Sequence, residues 1–311
     1  MNVCIWGAIG LLLVTGHTAL ASTQSETAGP EAAIDIGPDF DAAESSEFEH
    51  VMRIEQMQRA EFAGEHTLTA DMTRRIAVRT LETLDDGGAR VELRLTAIAL
   101  RVLPPLDEIW EYDSEREMGN PVGSRSRFLE GLLDLPLVMV MDSAGQVVNS
   151  EGFDAVERLM QRERAARDLF PILNREWFEG TAQEIFGICG GQRLREPGEG
   201  WKKRSATRAG GLGDGDTIVL HRIESVENDR VVITGTGEIE VDPDAPPLIA
   251  GSETEISRQD MEFKVVWDRR LGRLERYETV QEVVLSHGGE WMEAVARLKT
   301  EVTMTRLDPA P

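Results

Sequence analysis

Met261, Phe263, Val265 and Trp267 alternate with Glu262, Lys264 and Asp268, and the rhythm returns near the C-terminus. There Met292, Ala294, Ala296, Leu298, Val302 and Met304 stand against Glu293, Arg297, Lys299, Glu301 and Arg306. A helix would scatter those apolar positions around its circumference, so a period of two predicts half-buried strands. Short polar stretches rich in Asp, Asn and Gly separate the strands, and these residues reverse a chain cheaply because they tolerate positive φ or bond their own backbone. "LDDGGAR" should join strands of about 66–84 and 89–103, "VENDRV" those of 217–226 and 230–241, and "DRRLGR" those of 260–268 and 273–285. Sequential hairpins build an antiparallel meander.

Val91, Leu93 and Leu95 give way near Thr96 to Ile98, Leu100 and Val102, a change of phase that signals a bulge or a strand covered on both faces. Three helical stretches could supply the cover. "RSRFLEGLLD" gathers Phe128, Leu129, Leu132 and Leu133, and "GFDAVERLMQRERAARDLF" repeats Phe153, Val156, Leu159 and Met160. "PILNREWFEGTAQEIF" opens on Pro171, which suits a first helical turn. The fold class expected is therefore mainly β (α+β): an antiparallel meander in two strand-rich blocks with a few covering helices between them. The blocks would run over 47–150 and 199–311, with the helical segment at 151–198. Whether they form one curved sheet or two is open at this stage.

Residues 1–21 contain no charged side chain, carry an apolar run from Val3 to Val14 and end in Ala19-Leu20-Ala21, the pattern of a signal peptide cut before Ser22. Thr15, His17 and Thr18 interrupt the run too early for a membrane anchor, which needs about 20 apolar residues. Residues 22–46 are polar, acidic and aperiodic, and are expected to be a disordered tether. The formal net charge of −23 argues against nucleic acid and anionic membrane surfaces, both of which recruit clustered Lys and Arg. Once the leader is removed Cys189 has no disulfide partner, and it reads as a buried apolar side chain.

"EIWEYDS" (108–114), "VMVMDSAGQVVNSEGFDAV" (138–156), "EPGEGWKKR" (196–204) and "WDRRLGRLERYE" (267–278), taken with leader and tether, resemble a family of exported bacterial β-rich proteins known only as a domain of unknown function. The matching elements are Tyr112-Asp113-Ser114, Asp142 with Gly145 and Val147, Trp201, and Trp267-Asp268 with Gly272; Gly198-Glu199-Gly200 departs from a valine-rich lead-in. The resemblance implies an architecture and export, and no catalytic residue.

The most site-like stretch is Gly210-Gly211-Leu212-Gly213-Asp214-Gly215-Asp216. A calcium-binding β-helix repeat works only in tandem and this is one copy; an EF-hand needs a bidentate Glu at position 12; a phosphate loop needs a following helix, whereas "TIVLHRI" is a strand. It reads as a hairpin connection. His50, His66, His221 and His287 show no zinc spacing, no nucleophile elbow is present, and no metal or cofactor is expected. Trp201, Trp110 and Tyr112, aromatic residues fit for a pocket rim, and His221, on an apolar strand face, are the candidate ligand-binding residues. The functional expectation is an exported, non-catalytic binding or interaction module. Its partner would be an envelope protein or an apolar or amphipathic small molecule held between curved sheet and helices, with no membrane span after leader cleavage. The alternative is an extracytoplasmic hydrolase whose site is assembled from distant residues.

Overall fold

The computed structural model describes residues 33–40, 45–60, 64–103, 109–117, 119, 123–163, 173–190, 192–208, 214–241, 253–288 and 294–307. Leader, most of the tether, and 209–213 of the glycine-rich connection lie outside them.

The alternating segments become long strands. β1 (Ile34–Asp35) is brief; β2 (Ser45–Ala60), β3 (Gly64–Thr83) and β4 (Ala89–Leu103) form a meander, followed by β5 (Trp110–Asp113). Then come α1 (Ser114–Glu117), α2 (Gly123–Leu132), β6 (Leu137–Met141), β7 (Val147–Glu151), α3 (Phe153–Arg162), α4 (Arg175–Phe186) and β8 (Leu194–Arg195). β9 (Gly200–Arg208), β10 (Asp214–Glu227), β11 (Arg230–Val241), β12 (Glu253–Asp268), β13 (Arg273–Gly288) and β14 (Ala294–Leu307) complete the chain.

The two strand-rich blocks are one sheet. β14 pairs antiparallel with β2 from Leu307↔Glu47 to Ala294↔Ala60, so the end of the chain closes onto its beginning. The order is β7-β6-β4-β3-β2-β14-β13-β12-β11-β10-β9, with β5 beside β4. The three expected hairpins all occur: β3–β4, β10–β11 and β12–β13. β9 and β10 pair antiparallel up to Arg208↔Asp214, so the glycine-rich stretch does connect a hairpin.

The phase change in β4 is a bulge. Arg75 pairs with Ala97 and Ile76 with Leu95, which skips Thr96; its hydroxyl donates to Glu47 Oε1 at 3.0 Å. The extra residue puts Val91, Leu93 and Leu95 before it and Ile98 and Leu100 after it into the same buried core.

Helices cover one face. Phe128, Leu129 and Leu132 of α2, Phe153 and Val156 of α3, and Trp177, Phe178, Ile185 and Phe186 of α4 are buried with the strand residues. Burying one such side chain contributes about 1.5–3 kcal/mol. α4 packs on both β13 and β7. It starts at Arg175 rather than at Pro171, which lies outside the described residues. Asn174 caps it, its side chain accepting from the Trp177 N–H at 2.9 Å.

The tether expectation does not hold over residues 33–40. Ile34, Ile36 and Phe40 are buried, the Phe40 ring lies 5.3 Å from that of Phe186, and β1 pairs with β8. Asp35 accepts from Arg193 at 3.0 Å and from the Gly37 N–H at 2.8 Å. Ile34 and Ile36 are a two-residue strand pattern inside an acidic stretch, and the average composition of the segment hides it. Ser45 and Ser46 likewise belong to β2. Among the described residues no helix is long and apolar enough to cross a membrane.

Candidate functional site

Where α4 crosses the sheet, the inward side chains leave a cavity of about 170 Å³. β10 points Thr217, Val219 and His221 into it, as alternation along a strand requires, and β9 adds Lys203, the cross-strand partner of Val219. Met261 and Phe263 of β12 form an apolar floor. Gly235 and Gly237 of β11 make that floor possible: a Cβ at Gly235 would strike the Phe263 ring, and one at Gly237 the Met261 sulfur. Beside them on the same sheet stand Tyr277, Thr279 and Gln281 of β13, where Thr279 and Gln281 are the cross-strand partners of Phe263 and Met261, and then Thr300 and Val302 of β14, where Thr300 is the partner of Gln281. β2 contributes His50 and Met52, and α4 closes the space with Trp177, Thr181 and Glu184.

Trp177 is fixed from behind. The Arg74 guanidinium lies 3.7 Å over its ring and donates to His50 Nδ1 at 3.0 Å, while the His50 ring meets Trp177 edge-on at 5.9 Å. Burial, and then the Arg74 charge, holds the His50 pKa well below the usual histidine value. His50 is therefore a neutral imidazole that accepts from Arg74.

Charges face the cavity itself. Burial pushes the Glu184 carboxyl up to about 7, against the opposing pull of Lys203 and Arg74. Burial pushes the Lys203 ammonium down, with Glu184 holding it up. Burial, then Lys203, lowers His221 to about 3, so this ring too is neutral. Tyr277 is pushed up by burial and then by Glu184. Among the described residues neither Lys203 nor Glu184 makes a salt bridge or a side-chain hydrogen bond, so each charge is held only at a distance. Thr217 Oγ1, His221 Nδ1, Gln281 Nε2 and Thr300 Oγ1 likewise have no hydrogen-bond partner among the described residues, although these side chains are at most 7% exposed. An unmet buried polar group costs about 1–3 kcal/mol, so four around one space give the cavity hydrogen-bonding capacity that the protein does not use.

The four candidate residues from the sequence separate into two places. Trp201 and His221 are cross-strand partners with rings stacked at 5.1 Å and 10°, and His221 also packs at 4.7 Å on Phe263. His221 lines the cavity; Trp201 stands behind it, its indole N–H donating to the Ile188 carbonyl at 3.3 Å. Trp110 and Tyr112 sit on β5, paired to Val102 and Leu100 of β4, and do not line the cavity. Tyr112 is buried in the core and Trp110 lies 5.4 Å from the Arg125 guanidinium. The wall is mixed, because Glu184, Lys203, Thr217, Gln281 and Thr300 share it with Met261 and Phe263.

A signal for these missed residues existed. Thr300 occupies the apolar phase between Leu298 and Val302, and Gln281 the phase of Val283 and Leu285, so each is a polar residue at an inward strand position. Elsewhere, Asp216 faces Arg204 at 3.5 Å, and Arg204 also binds Glu240 at 2.6 Å, an ordinary cross-strand network. Among the described residues no three His, Cys, Asp or Glu side chains gather as metal ligands. Cys189 is buried and its thiol donates to the Ala144 carbonyl at 3.1 Å.

No protein-family model and no curated protein matches this chain. Among solved structures it is similar to lipovitellin, in a study of lipid–protein interactions, at a TM-score of 0.46 and 11% identity, over 88% of this chain and 26% of that one. The chain thus spans about a quarter of lipovitellin's length. It also aligns with DynF from the dynemicin biosynthesis pathway of Micromonospora chersina, at a TM-score of 0.20 and 8% identity over 96% of both chains. A third match is Pseudomonas aeruginosa OpdQ, at 0.23 and 6% identity over 85% of this chain and 99% of that one. With TM-scores this low, function is argued from the cavity alone.

Proposed function

We propose that the protein is an exported, non-catalytic binding module that holds one small amphipathic molecule in the cavity between α4 and the sheet. The observation that carries this reading is the set of buried polar atoms of Thr217, His221, Gln281 and Thr300 that line one space beside an apolar floor of Met261 and Phe263 and meet no protein partner among the described residues. Ligand sites pair an apolar wall with a few convergent polar groups in this way. A binder is favoured over a hydrolase by what the two histidines do. His50 accepts from Arg74, and His221 is sandwiched between Trp201 and Phe263. Glu184 answers to Lys203 and Arg74 rather than to an imidazole. A general base must reach the proton it removes, and this carboxylate–histidine arrangement does not supply one.

The test is solvent extraction and mass spectrometry of the natively purified chain, beside a Val219→Trp variant that fills the cavity. About one molecule per wild-type chain, lost in a variant that still unfolds cooperatively, is the expected result. Equal recovery from both would place the ligand elsewhere, and an empty wild-type extract would count against the reading.

A further inference from the structure

The cavity's charges are arranged in an unusual way. Lys203 reaches in from β9 and Glu184 from α4, and among the described residues they do not touch. A stabilising buried pair would be in contact, since only close geometry offsets the cost of removing both ions from water. Held apart and half-buried, each turns to the cavity.

The hydrogen-bond inventory then decides what would fit. The Lys203 ammonium has three N–H donors, the Gln281 amide nitrogen donates, and the Thr217 and Thr300 hydroxyls can donate. Among the described residues Glu184 is the one carboxylate on the wall, and burial drives it toward its protonated form, in which it also donates. Behind Trp177, Arg74 adds positive potential without reaching the wall. The other titratable groups facing Glu184 are neutral: His50 on β2, His221 on β10 and Tyr277 on β13. His221 Nδ1, the fourth unmet atom on the wall, donates in its N–H tautomer, so a wall of donors with net positive character wants an acceptor-rich anion. Beside it, Met52, Val219, Met261 and Phe263 offer an apolar bed.

Resting on the cavity reading above, we infer that the bound molecule is an anionic amphiphile: a carboxylate or phosphate head lies against Lys203 and the surrounding donors, and its alkyl part lies on Met261 and Phe263. Binding the anion favours protonated Glu184, so the complex takes up a proton.

Four probes that share one tail test this by calorimetry on the mature chain: octanoate, octyl phosphate, octanol and octylammonium. Octanoate or octyl phosphate should bind at least about tenfold more tightly than octanol and octylammonium, and the tighter of the two anions identifies the head. Lys203→Met should weaken the anions about tenfold or more and leave octanol unchanged, with its thermal unfolding reported beside wild type. Glu184→Gln, whose amide donates at every pH, should remove the decline of anion binding from about pH 6 to about pH 8. A preference for octylammonium or equal binding of octanol overturns the anionic head while leaving the cavity occupied. If none of the four binds yet the native extract contains a molecule, the inference on the head fails alone. If none binds and the extract is empty, both readings fail.

Discussion

The Arg74 guanidinium lies 3.7 Å above the Trp177 ring, deep beneath α4. Trp177 thereby joins three things: the start of the helix, the core and the cavity wall. Trp177→Ala removes the ring that Arg74 packs on and opens a void, and should cost about 3–5 kcal/mol in urea unfolding. Trp177→Phe, which keeps an aromatic face, should cost clearly less. An alanine cost below about 1 kcal/mol would show that α4 is held some other way.

Stability should depend on pH through groups with opposite signs. His50 and His221 have folded-state pKa values below the usual histidine value, His221 at about 3. As pH falls below about 6.5 the unfolded chain takes up protons first, so their contribution is intact above that pH and is lost on acidification. Glu184, raised to about 7, acts the other way: its contribution is present at low pH and is lost as pH rises through 7. Two histidines outweigh one carboxyl, so urea midpoints should fall modestly from about pH 6.5 to about pH 4.5. Glu184→Gln should steepen that fall and His221→Gln should flatten it. The opposite order would reverse these assignments.

Gly145 sits at φ 76° in the turn between β6 and β7, where Asp142 Oδ1 accepts from the N–H groups of Ala144 and Gln146. A Cβ there would run into the Phe186 carbonyl at the end of α4. Gly64, at φ 78°, has open space around it. Gly145→Ala should therefore cost well above the roughly 1 kcal/mol that positive φ alone charges Gly64→Ala. Equal thermal shifts for the two variants would mean that the approach of the β6–β7 turn to α4 does not matter.

The export proposed above predicts a processed N-terminus. Protein recovered from the cell envelope or medium should begin at Ser22 on N-terminal sequencing. A chain beginning at Met1 in those fractions would mean that the apolar leader is retained.

The strands and hairpins were legible in the sequence because alternation at Met261–Trp267 and turn chemistry at 84–90 are local properties. The bulge at Thr96 was legible for the same reason, as a shift in phase. That β14 closes on β2 was not, since a register between segments more than 230 residues apart leaves no local mark. The cavity was half legible: His221 was singled out, but Lys203 and Glu184 are ordinary surface types in sequence, and only the packing of α4 on the sheet brings them to one cavity. Trp110 and Tyr112 show the converse, since scarce aromatics drew notice for their type and stand on β5, outside the lining of this cavity.

The most direct measurement is an electron-density map of the natively purified mature chain at high resolution. The account predicts continuous non-protein density along Met261 and Phe263, ending in a head group within hydrogen-bond distance of Lys203. A cavity holding only separate waters that satisfy Thr217, Gln281 and Thr300, or one closed by its own side chains, would contradict it.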